Sequence, residues 1–225
     1  MTTWAIVVAA GEGTRIAAGA PKALLPLAGR PMLAWSLDAV LASESIDGVV
    51  VVCGESWRDE GERLVRSIAG PRVPVCAGGR SRHASVRNGL EQIGADADRV
   101  VVHDAARPLA GPELFERALA ALDRASAGIC AIPVTDTIKR ASGDAVIETV
   151  DRSALWRAQT PQAFRLADLL EAAAAGDDEA MTDEAALLER AGMTVIVVPG
   201  DERNIKITTP ADLSIAEDLL RGRRT

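Results

Sequence analysis

The sequence contains no tyrosine and few aromatic residues of any kind: two Phe and four Trp among 225 residues. Rings therefore cannot fill the core, and Ala, Leu and Val must do so. The three cysteines, Cys53, Cys76 and Cys130, are far apart, and each stands in or beside an apolar run. With no CxxC pair and no His/Cys cluster, a structural zinc site is not indicated. The thiols read as small buried hydrophobes of a reducing compartment. No apolar run approaches the roughly 20 residues of a membrane span. The N-terminus lacks the basic stretch and long apolar stretch of a secretory leader, so a cytoplasmic protein is expected. Lys and Arg are not in excess, and the formal net charge is −7. That balance argues against nucleic acid or an anionic membrane as partner, while leaving room for a local basic pocket.

What is present is a rhythm of short β-branched runs: WAIVV (4–8), GVVVVC (48–53), VPVC (73–76), RVVVH (99–103), GICAIPV (128–134) and TVIVV (194–198). They are continuously apolar rather than alternating, as in strands covered on both faces, and so predict a mostly parallel sheet. Helical patterns lie between them. Residues 31–43 place Leu33, Leu37, Val40 and Leu41 on one face, and residues 112–125 do the same with Leu114, Leu119 and Leu122. Pro31 and Pro112 suit a first helical turn. Helix also fits 82–93, 166–175, 183–191 and 211–220. Alternating strand and helix predict a doubly wound α/β fold, with ligands at the carboxyl ends of the strands. We expect residues 1–225 to form a single domain.

Residues 135–160 break the rhythm. Two short alternating runs, TDTIKRA and AVIETVD, flank Ser142-Gly143-Asp144, which signals a hairpin. Its few apolar residues would bury little by themselves, so it reads as an arm projecting from the sheet and packing on another subunit. An ordinary edge hairpin is the alternative. The charge runs at 58–63, 171–180 and 221–224 read as solvated faces, loop ends and a short tail.

The first strand runs into AAGEGTRIAAGAPK, residues 9–22. The third glycine of a GxGxxG pattern falls on Ile16, and Lys22 follows Pro21 rather than Gly, so neither the dinucleotide fingerprint nor the P-loop is matched. A small-residue loop remains, with Arg15 inside it and Lys22 beyond it. Ala9, Ala10, Gly11 and Gly13 would let backbone N–H groups approach anionic oxygens. Two cations beside such a cradle suit a triphosphate attacked at its α-phosphorus. A tight turn with solvated charges is the bland alternative.

AAGxGxR followed by PK resembles the signature of nucleotidyltransferases that join a nucleoside triphosphate to a sugar or polyol phosphate. Further along, HDAARP (103–108), DTIKR (136–140), TVDR…LW (149–156), TPQ (160–162), TDEA (182–185) and NIKIT (204–208) follow in order. This set, from Ala5 to about Leu220, resembles the 2-C-methyl-D-erythritol 4-phosphate cytidylyltransferase family of the non-mevalonate isoprenoid pathway. The resemblance implies a Rossmann-like nucleotidyltransferase fold, CTP and a polyol phosphate as substrates, Mg²⁺, and a homodimer joined through the arm. The implied chemistry is in-line attack by the acceptor phosphate on the α-phosphorus, releasing pyrophosphate. Such a transfer needs positioning and charge stabilisation rather than a covalent nucleophile.

Residue by residue, the resemblance implies that Arg15, Lys22 and Lys206 handle the phosphates, and that Arg152 positions the acceptor phosphate. Thr137, Thr160 and Thr182 match acceptor-binding positions. Asp104 and Ala105 fall at the nucleotide, with Asp104 as the Mg²⁺ ligand. Gly79 and Ser85 match the cytosine-recognition loop; Arg80 departs from the small polar or acidic residue often found there. Arg107 contacts the acceptor or pins its loop through backbone carbonyls. Arg82 closes over the triphosphate or braces the loop, and His103 reads as a satisfied core residue. The nearest rival is a ribitol 5-phosphate cytidylyltransferase. HDAARP together with NIKIT argues against other sugar-nucleotide pyrophosphorylases, and the full set of cations argues against a non-catalytic nucleotide-binding module. Since the chain stops after its last expected helix, one activity is expected.

Overall fold

The computed structural model describes residues 1–11, 16, 21–174 and 183–222. Arg15, Gly13 and Thr182, together with most of the opening loop whose mobility its Gly and Ala content predicts, lie outside the described residues. In chain order the elements are β1 (Thr2–Val8), β2 (Pro26–Leu27), β3 (Arg30–Pro31), α1 (Met32–Leu41), β4 (Gly48–Cys53), α2 (Arg58–Ala69) and β5 (Val75–Ala77). Then come α3 (Arg82–Leu90), β6 (Ala97–Asp104), α4 (Pro112–Ala120), β7 (Ala127–Pro133), β8 (Ile138–Ser142) and β9 (Ala145–Val150). The chain continues through β10 (Trp156–Arg165), α5 (Leu166–Ala174), α6 (Ala185–Arg190), β11 (Val195–Pro199) and α7 (Pro210–Arg221).

All six apolar runs form strands of one seven-stranded sheet, ordered β11-β7-β10-β6-β1-β4-β5. After β1 the chain builds outward through β4 and β5, then crosses to the other side of β1 to lay down β6. That reversal opens a crevice at the carboxyl ends of β1 and β6, where doubly wound sheets bind their ligands. Val100 and Val102 of β6 join Ile6, Val52 and Val86 in one apolar layer, while Val101 joins Val7, Leu37 and Phe115 in the other. Both faces of the sheet are therefore dry, which explains the unbroken apolar runs. Leu33, Leu37 and Val40 of α1 are buried as expected; Leu41 is not, being 44% exposed. The charge run at 58–63 is solvated as read, but it opens a regular helix, α2, whose inner face is Gly61 and Val65.

The strand of this sheet that the sequence does not predict is β10. It lies antiparallel between β6 and β7, in the middle of the sheet. Pro161 disguises it, since proline removes a ladder donor and normally argues against a central strand. Here the register of β10 against β7 slips between Ala158 and Gln162, so the proline occupies an irregularity where the ladder is already interrupted. The expected hairpin does form. Among the described residues β8 and β9 pair only with each other, with Gly143 in the left-handed region at φ 56° in the turn. Val146 and Ile147 on it are each 62% exposed.

Phe164 of β10 is fully buried. Phe164→Ala should cost about 3–5 kcal/mol, the usual penalty for an unfilled ring-sized cavity. The urea midpoint at constant m-value measures this; a loss under about 1 kcal/mol would show that the sheet closes over the gap.

Candidate active site

A cavity of about 620 Å³ opens at the carboxyl ends of β1, β5 and β6. Its floor is Val8–Gly11 after β1, one wall is Gly79–Arg82 before α3, and another is Asp104–Ala106 after β6. Lys22 and Lys206 complete it from the loop beyond β1 and the segment before α7. In the chain these residues stand up to about 200 positions apart; the crevice gathers them.

Charge organises the interior. Asp104 ends β6 and is almost fully buried. Its Oδ1 accepts the Arg82 Nε–H at 3.0 Å, and its Oδ2 accepts from Lys206 Nζ at 2.6 Å. Burial by itself would raise the carboxyl pKa, but Arg82 and Lys206 outweigh it and hold Asp104 well below the usual carboxylate range. Arg82 reaches a second carboxylate, Glu184, whose Oε2 lies 2.5 Å from Nη1. Burial opposes the Arg82 charge, yet Asp104 and Glu184 together raise its pKa further. The result is a line of alternating charge, Lys206–Asp104–Arg82–Glu184, whose first three members line the cavity while Glu184 stands behind them.

Backbone geometry explains how each member is delivered. Ser81 caps α3, its hydroxyl accepting the Ala84 N–H, so Arg82 is the first residue of a helix that starts at the cavity. Helix N-termini favour anions. Gly78 and Gly79 permit the tight approach to α3: a Cβ on Gly78 would lie 2.3 Å from Ala10 Cβ, and one on Gly79 would lie 2.4 Å from Ala84 Cβ. Lys206 is presented by stitches on either side of it. Asn204 Nδ2 donates to Thr160 O at 2.9 Å, and the Ile207 N–H donates to Ala106 O at 2.8 Å. The TPQ and TDEA motifs meet in the same way, through Gln162 Nε2 donating to Asp183 at 2.9 Å.

A model of the family described as 2-C-methyl-D-erythritol 4-phosphate cytidylyltransferase matches residues 3–222. The chain belongs to that family. Its relative of that name from Synechococcus elongatus is 46% identical, with 97% of this chain and 96% of the relative aligned. The one from Cereibacter sphaeroides is 46% identical over 98% and 97%. Among solved structures, the 4-diphosphocytidyl-2C-methyl-D-erythritol synthase of Anaerococcus prevotii superposes with a TM-score of 0.83 at 30% identity, covering 98% of this chain and 96% of that one. The 2-C-methyl-D-erythritol 4-phosphate cytidylyltransferase of Thermus thermophilus gives 0.78 at 33% identity, over 96% and 98%.

Several residues that family resemblance assigns to ligands are used by the protein itself. Ala9 and Ala105 border the cavity, and their N–H groups donate to Val52 O at 2.8 Å and Val8 O at 3.0 Å. Ala10 and Gly11 line the floor, and a Cβ on Gly11 would meet nothing within 4 Å. Ser85 is buried at the cavity lining; it accepts the Gly79 N–H at 3.1 Å and donates to Ser81 O at 2.9 Å, which shapes the loop. Arg80 is exposed at the cavity rim. Thr160, assigned to the acceptor, is 4% exposed and lies behind the wall: its hydroxyl accepts the Asp104 N–H at 3.0 Å and pairs with His103 Nδ1 at 3.1 Å. Arg107 donates to Asn204 O at 2.8 Å and Ala158 O at 3.2 Å, the loop-pinning arrangement. Thr137 and Arg152 lie on the arm, outside the described lining of the cavity, and Arg152 bonds Thr135 O. Glu184 carries no signal in the sequence reading beyond its place within TDEA, because its partner Arg82 stands about 100 residues earlier.

His103 is fully buried, with its ring tilted against Phe115 at a centroid distance of 5.1 Å. Burial lowers its pKa from the ordinary 6.5 to about 4. The fold keeps the ring neutral while the unfolded chain protonates near pH 6.5. Stability from the neutral ring is thus whole above that pH and is lost as pH falls towards about 4. The full loss is on the order of 3 kcal/mol at 1.36 kcal/mol per pH unit. Thermal unfolding followed from pH 7 to pH 4 should show this slope, and His103→Gln should flatten it. The same slope in the variant would remove His103 as its source.

Proposed function

We propose that the chain transfers the cytidylyl group of CTP to 2-C-methyl-D-erythritol 4-phosphate, giving 4-diphosphocytidyl-2-C-methyl-D-erythritol and pyrophosphate. The observation that carries this reading is the convergence of Lys22, Arg82 and Lys206 on one cavity at the strand ends of a member of this family. A triphosphate there meets cations rather than a nucleophilic side chain. That suits direct attack by the acceptor's phosphate oxygen on the α-phosphorus: one P–O bond forms as the bond to the β-phosphate oxygen breaks, and pyrophosphate leaves.

Lys22 and Lys206 offset the charge that grows on the transferring phosphoryl oxygens and on pyrophosphate; for Arg15, outside the described residues, the family resemblance implies the same role. The start of α3 adds its dipole, and the Gly79 turn reads the pyrimidine edge from the backbone. Mg²⁺ is the metal this reading implies. Asp104 fits it: the carboxylate faces the cavity and stays ionised, and Arg82 and Lys206 each occupy only one position on an oxygen with two lone pairs. Among the described residues no three His, Cys, Asp or Glu side chains stand together to hold a metal. Mg²⁺ needs only one or two protein carboxylates with phosphates and water completing its shell. Bound there, it would neutralise phosphate charge.

Arg152 and Thr137 complete the acceptor site from a second subunit. Support comes from the exposure of the arm, including Trp156 at 48%, and from their place outside the described lining of the chain's own cavity. The reaction belongs in the cytoplasm, where both substrates are soluble; no helix among the described residues is long and apolar enough to cross a membrane.

Pyrophosphate release with CTP and Mg²⁺ tests the reading, with 2-C-methyl-D-erythritol 4-phosphate and ribitol 5-phosphate offered separately. Release with the first and loss on chelation are expected; release with ribitol 5-phosphate alone would move the chain to another acceptor, and release with neither would end the catalytic reading. Lys22→Ala should lower kcat by ~10²–10³ with the fold intact, by analogy with other transition-state charge donors. Mixing inactive Lys22→Ala with inactive Arg152→Ala tests the exchanged arm. One site per mixed dimer would carry both native residues, returning roughly a quarter of wild-type activity on random pairing. No recovery would place both residues in the same subunit's site.

A further inference from the structure

We infer that Glu184 is a positioning residue for nucleotide binding, acting through Arg82. The inference rests on the function proposed above and assigns a role to a side chain outside the cavity's lining. Glu184 stands immediately before α6 and is 1% exposed. Its Oε2 accepts from Arg82 Nη1 at 2.5 Å, and its Oε1 has no hydrogen-bond partner among the described residues. The other titratable side chain beside it among the described residues is His83, with Nδ1 3.7 Å from Oε1. A carboxylate this dry is costly unless its charge is used, and the group that uses it is Arg82.

The geometry divides the work between two carboxylates. Asp104 is shared: Arg82 holds one oxygen at 3.0 Å and Lys206 holds the other at 2.6 Å. Lys206 is 42% exposed at its side chain, so its ammonium can turn towards an entering phosphate. Arg82 is 22% exposed and is fastened from behind by Glu184. With the charge at 184 removed, the guanidinium has Asp104 as its remaining carboxylate and swings onto it with both arms, the arrangement arginine prefers. That movement pulls Asp104 off Lys206 and disturbs both at the place where the triphosphate binds. Glu184 thus keeps Arg82 to one Asp104 oxygen and leaves the other to Lys206.

The consequence is selective. An intact Glu184 matters for CTP, whose phosphates meet Lys206 and Asp104, and much less for the acceptor, whose positioning groups lie on the arm. Glu184→Gln should raise KM for CTP about tenfold while KM for 2-C-methyl-D-erythritol 4-phosphate stays within about twofold. A merely structural role would lower the active fraction, and with it kcat, while leaving both KM values where they were. The second arm is a cycle with Arg82→Gln: in that background Glu184→Gln should change KM for CTP by less than about twofold, because the residue through which it acts is gone. An unchanged KM for CTP in the single variant, or the full tenfold effect persisting without Arg82, would overturn the inference. Should Glu184→Gln fail to fold, Glu184→Asp carries the test. It keeps the charge but, one methylene shorter, withdraws the carboxylate from Arg82 Nη1, and a smaller rise in KM for CTP is expected; an unchanged value overturns the inference. Wild-type protein that turned over neither acceptor would defeat the proposed function instead, and calorimetric CTP binding by the same variants would still measure the effect of Glu184.

Discussion

A carboxylate at the end of a buried strand must either be neutralised by a proton or be paired. Asp104 is paired, and much of the molecule exists to keep it so. Its two oxygens are claimed by Arg82 from the start of α3 and Lys206 from the segment before α7. Its backbone N–H is claimed by Thr160 from β10. Three parts of the chain, roughly 20 to 100 residues from Asp104 in sequence, are thereby fixed at one point. Removing one partner from a buried pair commonly costs about 3–5 kcal/mol, because the other charge is left dry. Together these contacts preserve an ionised carboxylate and two cations in the lining of one cavity.

The antiparallel strand β10 is the frame for this arrangement. Wedged between β6 and β7, it carries Gln159, Thr160 and Gln162, all nearly inaccessible to solvent. Each hydroxyl or amide reaches a different neighbour: Gln159 holds the carbonyl of Asp201 at 2.8 Å, Thr160 braces the end of β6, and Gln162 holds Asp183 in front of α6. Buried polar groups require partners, and here the requirement stitches the loops that carry Lys206 and Glu184 to the sheet. The separate motifs of the sequence are thus parts of one hydrogen-bonded frame. Arg107 belongs to it as well, spending its guanidinium on two backbone carbonyls.

Legibility followed the range of the interactions. Six parallel strands and most helices were readable because they are announced by runs of neighbouring residues, whose apolar character reports burial on both faces. The hairpin at 138–150 was readable for the same reason: a turn and two alternating runs are local signals. β10 was not readable, since Pro161 is an argument against a central strand and only the register slip against β7 makes room for it. Arg82 and Glu184 could not be paired from the chain, since nothing local marks a contact across 102 positions. Thr160 and Ser85 match family ligand positions; the bonds their hydroxyls make to the protein's own backbone and ring groups were not readable, because those partners are set by how the loops fold.

By itself, then, the sequence determined the layered α/β architecture and a family whose motifs run from end to end. These follow from composition, periodicity and ordered short patterns, which need no knowledge of what touches what. The tertiary structure decided which cations share a cavity and which polar side chains hold the frame together. It also decided that a charge behind the cavity wall holds one of those cations in place. Such assignments depend on distances of about 3 Å between residues remote in the chain, and only the crossing of the chain between the two sides of β1 brings them together.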